Sequence, residues 1–512
     1  MIIQEEDDLL NSKDPPVTTP ALRYPERAAG RRPFSPLPDY ETSQALALNG
    51  LSNDSLITFY KPPPKRRFID SRSWRAGIVA LGIYIILSII IGIPLIVKNS
   101  QGDNKPFSYP TNYAVPWPGK NAASHYVTNI NNISSSLPDG VSSVCNVWAT
   151  TGTLEDAQHF MVGEVSHTVS SNGRFSITSN ASYISNMDIV LGDLFVGLNP
   201  NTSVTDTTIL VNMQSSNDVI FSQTQVCFAL SNNVTGLAIY VPDNMSLNDQ
   251  LLFNITLLYP QSAITAQVNS FATYLPLFTQ MFGDFGDYVN FERVSIEGPL
   301  SRIFVGSIEA DDILVQTSLE PIFGQFAASR SLFVNTIQAP INVNASLFND
   351  PDSNFPTYLE VNTGNSNLKA NITLNAPNRG PPQRPNFVAN MRTFNGQATT
   401  SFVHDPASPP TAIKLRLEND LGPINAVFDQ YFQGFFQADT ILGAVSVSQG
   451  TASSLNPYNT TSLRSFFLNY VSDTRTYGWI GWGLGSGGFL GEQIGEVVVE
   501  TSIANCTLFF DG

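Results

Sequence analysis

The chain is poor in the residues that carry out chemistry. Its 512 residues include four histidines and three cysteines, and only 13% are charged. No His-x-x-x-His or paired-Cys spacing offers a zinc site, and no Gly-x-Ser-x-Gly offers a nucleophile elbow. Gly485-Ser486-Gly487-Gly488 lacks the lysine that a phosphate loop needs. No cofactor or metal is implied. Basic residues are also scarce. Taking the 11 basic and 10 acidic residues of 1–75 from the totals of 26 and 42 leaves 15 and 32, a net charge of −17 for the rest. Nucleic-acid partners need a basic footprint, so that surplus excludes them.

One stretch is rich where the remainder is poor. Ala76 to Val97 is uncharged and almost wholly Ile, Leu, Val, Ala and Gly. As a helix its 22 residues would span about 33 Å, enough for the hydrocarbon core of a bilayer. Arg75 and Lys98 flank it. Lys61, Lys65, Arg66, Arg67, Arg72 and Arg75 lie on one side, against Lys98 and Lys105 on the other. The positive-inside rule then puts the N-terminus in the cytosol and the rest in the lumen or outside the cell. This predicts a single-pass type II protein of the plasma membrane or an endomembrane. Ten Asn-x-Ser/Thr sequons follow the span, at Asn132, Asn180, Asn201, Asn233, Asn244, Asn254, Asn344, Asn371, Asn459 and Asn505, and one, Asn53, precedes it. Glycosylation of the far side is the expectation. All three cysteines lie there too. Cys145 and Cys227 are the expected disulfide, leaving Cys506 inside the last sequon.

Residues 1–75 hold ten prolines and no sustained period, the composition of a disordered tail. Glu5 to Leu10 resembles an acidic dileucine sorting signal, with Glu5, Leu9 and Leu10 as its contacts for a coat adaptor. Leu37, Pro38 and Tyr40 resemble the L-P-x-Y motif read by WW-domain proteins. The Pro-rich stretch 98–124 reads as a stalk.

Beyond it the fold class is mainly β. Residues 125–262 show strand after strand, such as Thr208 to Met213 and Leu251 to Leu258, in a β-sandwich-like part or the opening of a β-solenoid. The spacing of Phe271, Tyr274, Leu275, Phe278, Met281, Phe282 and Phe285 predicts a short helical cap within 271–291. Residues 263–512 are the repeat-containing part, and from about 292 onward the chain repeats itself. Alternating segments pivot at Thr336, Thr363, Thr393 and Asn419, with an earlier copy at Thr317 and a later one around Val445 to Ser448. Repeats of this length predict stacked strands, as a β-solenoid with Asn and Thr laddering along the axis or as one long twisted sheet. The tail, span and units such as Thr336 to Val343 resemble fungal, mainly mushroom-type, single-pass membrane proteins with a β-rich domain of unknown function. More distantly they resemble adhesin-type stacked-strand domains of bacteria. The resemblance implies a solenoid-like fold and no catalytic residue.

Candidates for chemistry are few. Glu309, Asp311 and Asp312 form the best carboxylate cluster, of the kind a polysaccharide-cleaving solenoid uses as acid and base. A solvated turn is the plainer reading. His125, His159, His167 and His404 read as surface residues, and Trp479 and Trp482 as closing the apolar end of the stack or stacking on sugars. The sequence therefore favours a non-catalytic ectodomain for binding, adhesion or scaffolding, with a wall glycan or protein as partner. A cargo-selecting trafficking protein and a tethered glycan-active enzyme are the alternatives.

Overall fold

The computed structural model describes residues 142–153, 160–231, 234–350, 355–377, 385–408, 411–450, 463–482 and 495–511. The described chain is mainly β. Its strands open with β1 (Ser142–Cys145), β2 (Thr150–Thr153), β3 (Met161–Val169), β4 (Gly173–Ser179), β5 (Val190–Leu198) and β6 (Thr207–Ser215). A short helix, α1 (Asp218–Gln223), follows; the Asn217 side chain caps it by accepting from the Val219 N–H. Next come β7 (Gln225–Ser231), β8 (Val234–Tyr240), β9 (Leu251–Tyr259), β10 (Ala266–Tyr274), β11 (Phe278–Asp284) and β12 (Val289–Gly298). Two long strands, β13 (Ile303–Thr317) and β14 (Ile322–Asn335), lead into β15 (Ile341–Phe348), β16 (Thr357–Thr363), β17 (Leu368–Asn375) and β18 (Phe387–Thr393). The series continues with β19 (Ala398–His404), β20 (Ile413–Asn419), β21 (Ile424–Phe428), β22 (Gly434–Asp439) and β23 (Val445–Gln449). It closes with β24 (Arg464–Val471), β25 (Arg475–Trp482), β26 (Gly495–Thr501) and β27 (Cys506–Phe510).

These strands stack in two parallel ladders. The first runs β8, β4, β10, β12, the second half of β13, the second half of β14, β16, β18, β20, β26, β22. The second runs β9, β5, β11, the first halves of β13 and β14, β15, β17, β19, β21, β27, β23. Each coil is one strand from the first ladder, a turn, and one strand from the second. The long strands β13 and β14 serve both ladders, with register shifts at Val305/Ile308 and Ala310/Asp312 where they pass from one to the other. Antiparallel strands finish the ends. β7 and β1 extend the first ladder beyond β8, and β6, β3 and β2 extend the second beyond β9. At the other end β25 and β24 lie on β22.

Alternation explains the core. In a strand every second side chain faces the same way, so each coil buries one set and offers the other to solvent. Ile303, Ile322, Ile341, Leu368, Ala398, Ile424, Cys506 and Val445 form one inward column along the second ladder. Phe402 stacks on Phe428 at 5.1 Å, and Phe428 meets Phe510 at 5.6 Å, in another. One apolar cluster extends from Val165 to Phe510. Full burial of each such aliphatic or aromatic side chain contributes roughly 1.5–3 kcal/mol.

The turns carry a second, polar spine. The Thr317 hydroxyl donates to the Pro299 carbonyl, Thr363 to Ala339, Thr393 to Ser366, Thr501 to Gly422 and Thr440 to Ala504. The Asn419 amide donates to Gly396 in the same way. All six are buried. Each ties the end of one strand to a carbonyl in the turn of the neighbouring coil, where polar groups turned away from water need partners. Thr317, Thr336, Thr363, Thr393 and Asn419 thus stand at the turns of consecutive coils.

Three features differ from the sequence reading. The segment 271–291 is not a helical cap: Phe271 lies in β10, Phe278, Met281 and Phe282 in β11, and Phe291 in β12, and its helical part is one 3-10 turn, Gly286–Tyr288. The turn at Leu275 to Leu277 shifts the phase of alternation, and that shift creates the spacing of three and four. Second, strand pairing crosses residue 262 without a break, because β4 pairs with β10 and β5 with β11. Third, the two ends do not follow chain order. The coil β4–β5 sits between β8–β9 and β10–β11, and the coil β26–β27 sits between β20–β21 and β22–β23. No helix among the described residues is long and apolar enough to cross a membrane. Ala76 to Val97 lies outside them, as do the stalk and the motifs at Glu5, Leu9, Leu10, Leu37, Pro38 and Tyr40.

Candidate binding and modification sites

Seven sequon asparagines are described, and all seven are exposed: Asn180, Asn201, Asn244, Asn254, Asn344, Asn371 and Asn505. Strand alternation puts three of them outside. Asn254 on β9, Asn344 on β15 and Asn371 on β17 each follow a buried residue and point away from the core. The others are in turns. Asn201 Oδ1 accepts from the backbone N–H of Ser203 and from its hydroxyl, at 3.1 and 2.6 Å, so both ends of that sequon are already in contact. Asn344 and Asn371 are register partners, and the Asn371 amide donates to Asn344 Oδ1 at 2.9 Å. Glycans on both would stand one rung apart, about 4.8 Å. Asn132, Asn233 and Asn459 lie outside the described residues.

Cys145 and Cys227 are bonded, joining β1 to β7 where the two face each other in register. Cys506 is buried between Ile424 and Val445, and burial pushes its thiol up to about 12. A thiol so held is not a nucleophile at neutral pH.

The carboxylate cluster is divided. Glu309 is exposed on β13. Asp311 and Asp312, just beyond a register shift, both meet Arg330, at 3.4 and 2.8 Å. Arg293 reaches Asp312 at 3.8 Å, and Ser329 and Ser331 donate to Asp311 and Asp312. The two aspartates are therefore tied across coils to arginine and serine. A free pair for acid–base work would need one carboxyl to protonate a leaving group and another to act as base or nucleophile. Among the described residues no three His, Cys, Asp or Glu side chains gather as metal ligands.

His404 is not a surface residue. It is buried at the end of β19, and its Nδ1 lies 2.9 Å from Asp429 Oδ1. Asp429 also accepts from the His404 and Tyr431 backbone N–H groups, so it joins β19 to the chain that follows β21. Nε2 is buried with no partner among the described residues. Alternation carried the signal: His404 follows Thr400 and Phe402 at every second position, and both face inward. His167 is half-buried against the Phe228 ring, with centroids 4.0 Å apart; His125 and His159 lie outside the described residues. Trp479 and Trp482 are buried in β25, and the Trp482 ring N–H donates to the Gln430 carbonyl.

The outer face of the second ladder carries a feature the sequence reading missed. Phe195, Met281, Phe304 and Phe323 fall in one outward column across β5, β11, β13 and β14. The Phe304 and Phe323 rings stack at 5.4 Å. Beside them Gly197, Gly283 and Gly306 bring backbones close; a Cβ on Gly306 would lie 2.9 Å from the Gly283 carbonyl carbon.

No protein-family model and no curated protein matches the chain. Among solved structures, a Clostridium sporogenes protein provisionally described as a cell adhesion protein is 12% identical over 68% of this chain and 99% of its own, with a TM-score of 0.15. A superposition that loose assigns neither fold nor role.

Proposed function

We propose that the chain is a single-pass type II membrane glycoprotein whose β-rich domain lies in the lumen or outside the cell and serves binding, adhesion or scaffolding without catalysis. The observation that carries this reading is the exposure of all seven described sequon asparagines on a domain with one continuous apolar core. The Cys145–Cys227 bond supports an oxidising compartment. The engagement of Asp311 and Asp312 by Arg330 supports a structural role for these carboxylates. On this reading Ala76 to Val97 crosses the bilayer, the tail meets coat adaptors and WW-domain proteins, and the domain meets a wall glycan or surface protein.

Expression of the full chain in a secretory-competent cell tests the reading. Glycosidase treatment should lower the apparent mass, and Asn-to-Gln changes at 201, 244 and 254 should each remove part of that shift. A chain without glycan, or with its C-terminal part open to protease from the cytosolic side, overturns the topology and with it the proposed role.

A further inference from the structure

We infer that the outward apolar column on the second ladder is covered by the protein's own N-linked glycans, those on Asn254 and Asn344; the inference rests on the glycoprotein reading above. Phe195, Met281 and Phe304 are 39, 37 and 38% exposed, and Phe323 beside them is half-buried. Outward positions of a strand are ordinarily polar. Farther along the same column they are so, because Asn342, Lys369, Thr399 and Asn425 follow Phe323 rung by rung. Apolar side chains on four neighbouring rungs form a contiguous patch, and such a patch marks a contact.

Register decides what reaches it. A sequon asparagine stands one rung beyond each end of the column. At one end Phe195 pairs with Thr256 on β9, and Asn254 is two residues before Thr256. At the other Phe323 pairs with Asn342 on β15, and Asn344 is two residues after it. One rung across and two residues along amount to about 8 Å, within the span of the first two sugars of an N-linked glycan. Both asparagines are exposed and, by strand alternation, share the face of the column.

The rings are presented to such a ligand. Phe304 and Phe323 stack at 5.4 Å with their planes 11° apart. The face of Phe323 turned away from Phe304 therefore looks along the ladder towards β15, where its register partner is Asn342, short and exposed. An N-acetylglucosamine ring on Asn344 would lie over Asn342 and continue the stack, its C–H face against the electron-rich face of the phenyl ring. Asn371 follows Asn344 in the same outward column, so a glycan there crowds the opposite direction. At the other end the Phe195 ring reaches over Gly197, where a Cβ would lie 2.8 Å from it, and its outer side is left to the Asn254 glycan. Glycans at both ends also keep the sheet of a second copy from lying flat on the column. Flexible sugars of the same chain are not kept off.

The full-length glycoprotein in detergent tests this. It is treated with an endoglycosidase under native conditions, and the sugar left at each asparagine is followed by mass spectrometry of its peptides. Release should be slower at Asn254 and Asn344 than at Asn201 and Asn244, which lie in turns. Phe304→Thr with Phe323→Thr should speed release at Asn344 several-fold, and Phe195→Thr should do so at Asn254, with Asn201 and Asn244 unchanged. Conversely, Asn254→Gln with Asn344→Gln should raise the fluorescence of an apolar dye several-fold, and adding the Phe304 and Phe323 changes should bring it back down. Asn201→Gln with Asn244→Gln should leave the dye signal as it was. Release at Asn344 and Asn254 that ignores the phenylalanine changes overturns the inference and leaves the glycoprotein reading standing. Sugar at Asn201 and Asn244 with none at Asn254 and Asn344 does the same. Sugar at no asparagine overturns both. A glycosylated wild-type dimer that the Phe304 and Phe323 changes dissociate also overturns the inference, because a second copy then occupies the column.

Discussion

From β12 to β21 each coil lies directly on the one before it in the chain, whereas at both ends chain order and spatial order part company. The middle is local: a strand pairs with its counterpart one repeat away, and the same inward columns continue rung after rung. The ends are non-local and mixed. They add antiparallel strands, a disulfide between residues 82 apart, and coils threaded between earlier ones. The two arrangements answer one problem. A parallel stack has open edges that would recruit other strands, and antiparallel strands at the ends cover them. Pairing between distant segments is also slower to form than pairing between adjacent coils. The middle should therefore behave as one strongly coupled body, and each end as a separately removable unit.

The largest test of that difference is Phe402→Ala. The ring is fully buried in the middle and stacked on Phe428. Its loss should cost about 3–5 kcal/mol in urea unfolding. Phe466→Ala, on the half-buried strand β24, should cost less than half as much. Equal losses would break the distinction between middle and end. Next in size is the paired change Cys145→Ser and Cys227→Ser. Releasing a loop of this length should cost about 2–4 kcal/mol. Amide exchange should show the loss in β1 and β7 with β16 to β20 unchanged; a loss spread through the stack would show the end to be no separate unit. Smaller again is Thr393→Val, nearly isosteric, which takes the donor from the Ser366 carbonyl and the acceptor from the Gly396 N–H. Chemical denaturation should show a loss of about 1–2 kcal/mol, and Thr440→Val at the end of the stack a smaller one.

What the sequence made legible follows the same line. Thr336, Thr363, Thr393 and Asn419 announced the turns of the middle coils because each coil repeats the same demands: alternation, a buried hydroxyl or amide, a short turn. The threading of β26–β27 left no such mark. Val497, Val499, Leu508 and Phe510 alternate like any stacked strand, and alternation does not name the partner. The aromatic run from Phe271 was misread because a turn between two strands can imitate a helical period when large residues flank it. Of the candidate sites, the sequons were legible because their motif is local. The His404–Asp429 contact was not, since it joins residues 25 apart on neighbouring coils. The division of Glu309 from Asp311 and Asp312 depends on a register shift, which no side-chain pattern in the sequence announces.

The smallest effect probes the same comparison on the outer face of the first ladder. Glu297 and Glu500 occupy one outward column, linked rung by rung through Gln316, Asn335, Asn362, Arg392 and Glu418. Near the C-terminal end Glu500 meets Arg416 at 3.1 Å. Glu297 is buried, and burial raises its carboxyl above the ordinary range, opposed by the Ser295 hydroxyl that donates to it. A carboxyl raised in the folded state favours folding at pH below its unfolded value, and that contribution is lost as pH climbs through the raised value. Glu297→Gln removes the charge that has to be desolvated. The variant should therefore match the wild type in acid and gain on it as pH rises, by about 2 °C or less in Tm at neutral pH. Glu500→Gln should go the other way at neutral pH, because it takes a partner from Arg416. Thermal melts of both variants across the carboxylate range read the two signs. A Glu297→Gln protein that melts lower than the wild type at neutral pH would mean that the buried carboxylate has a cationic partner, and that the outer face is electrostatically alike from one end to the other.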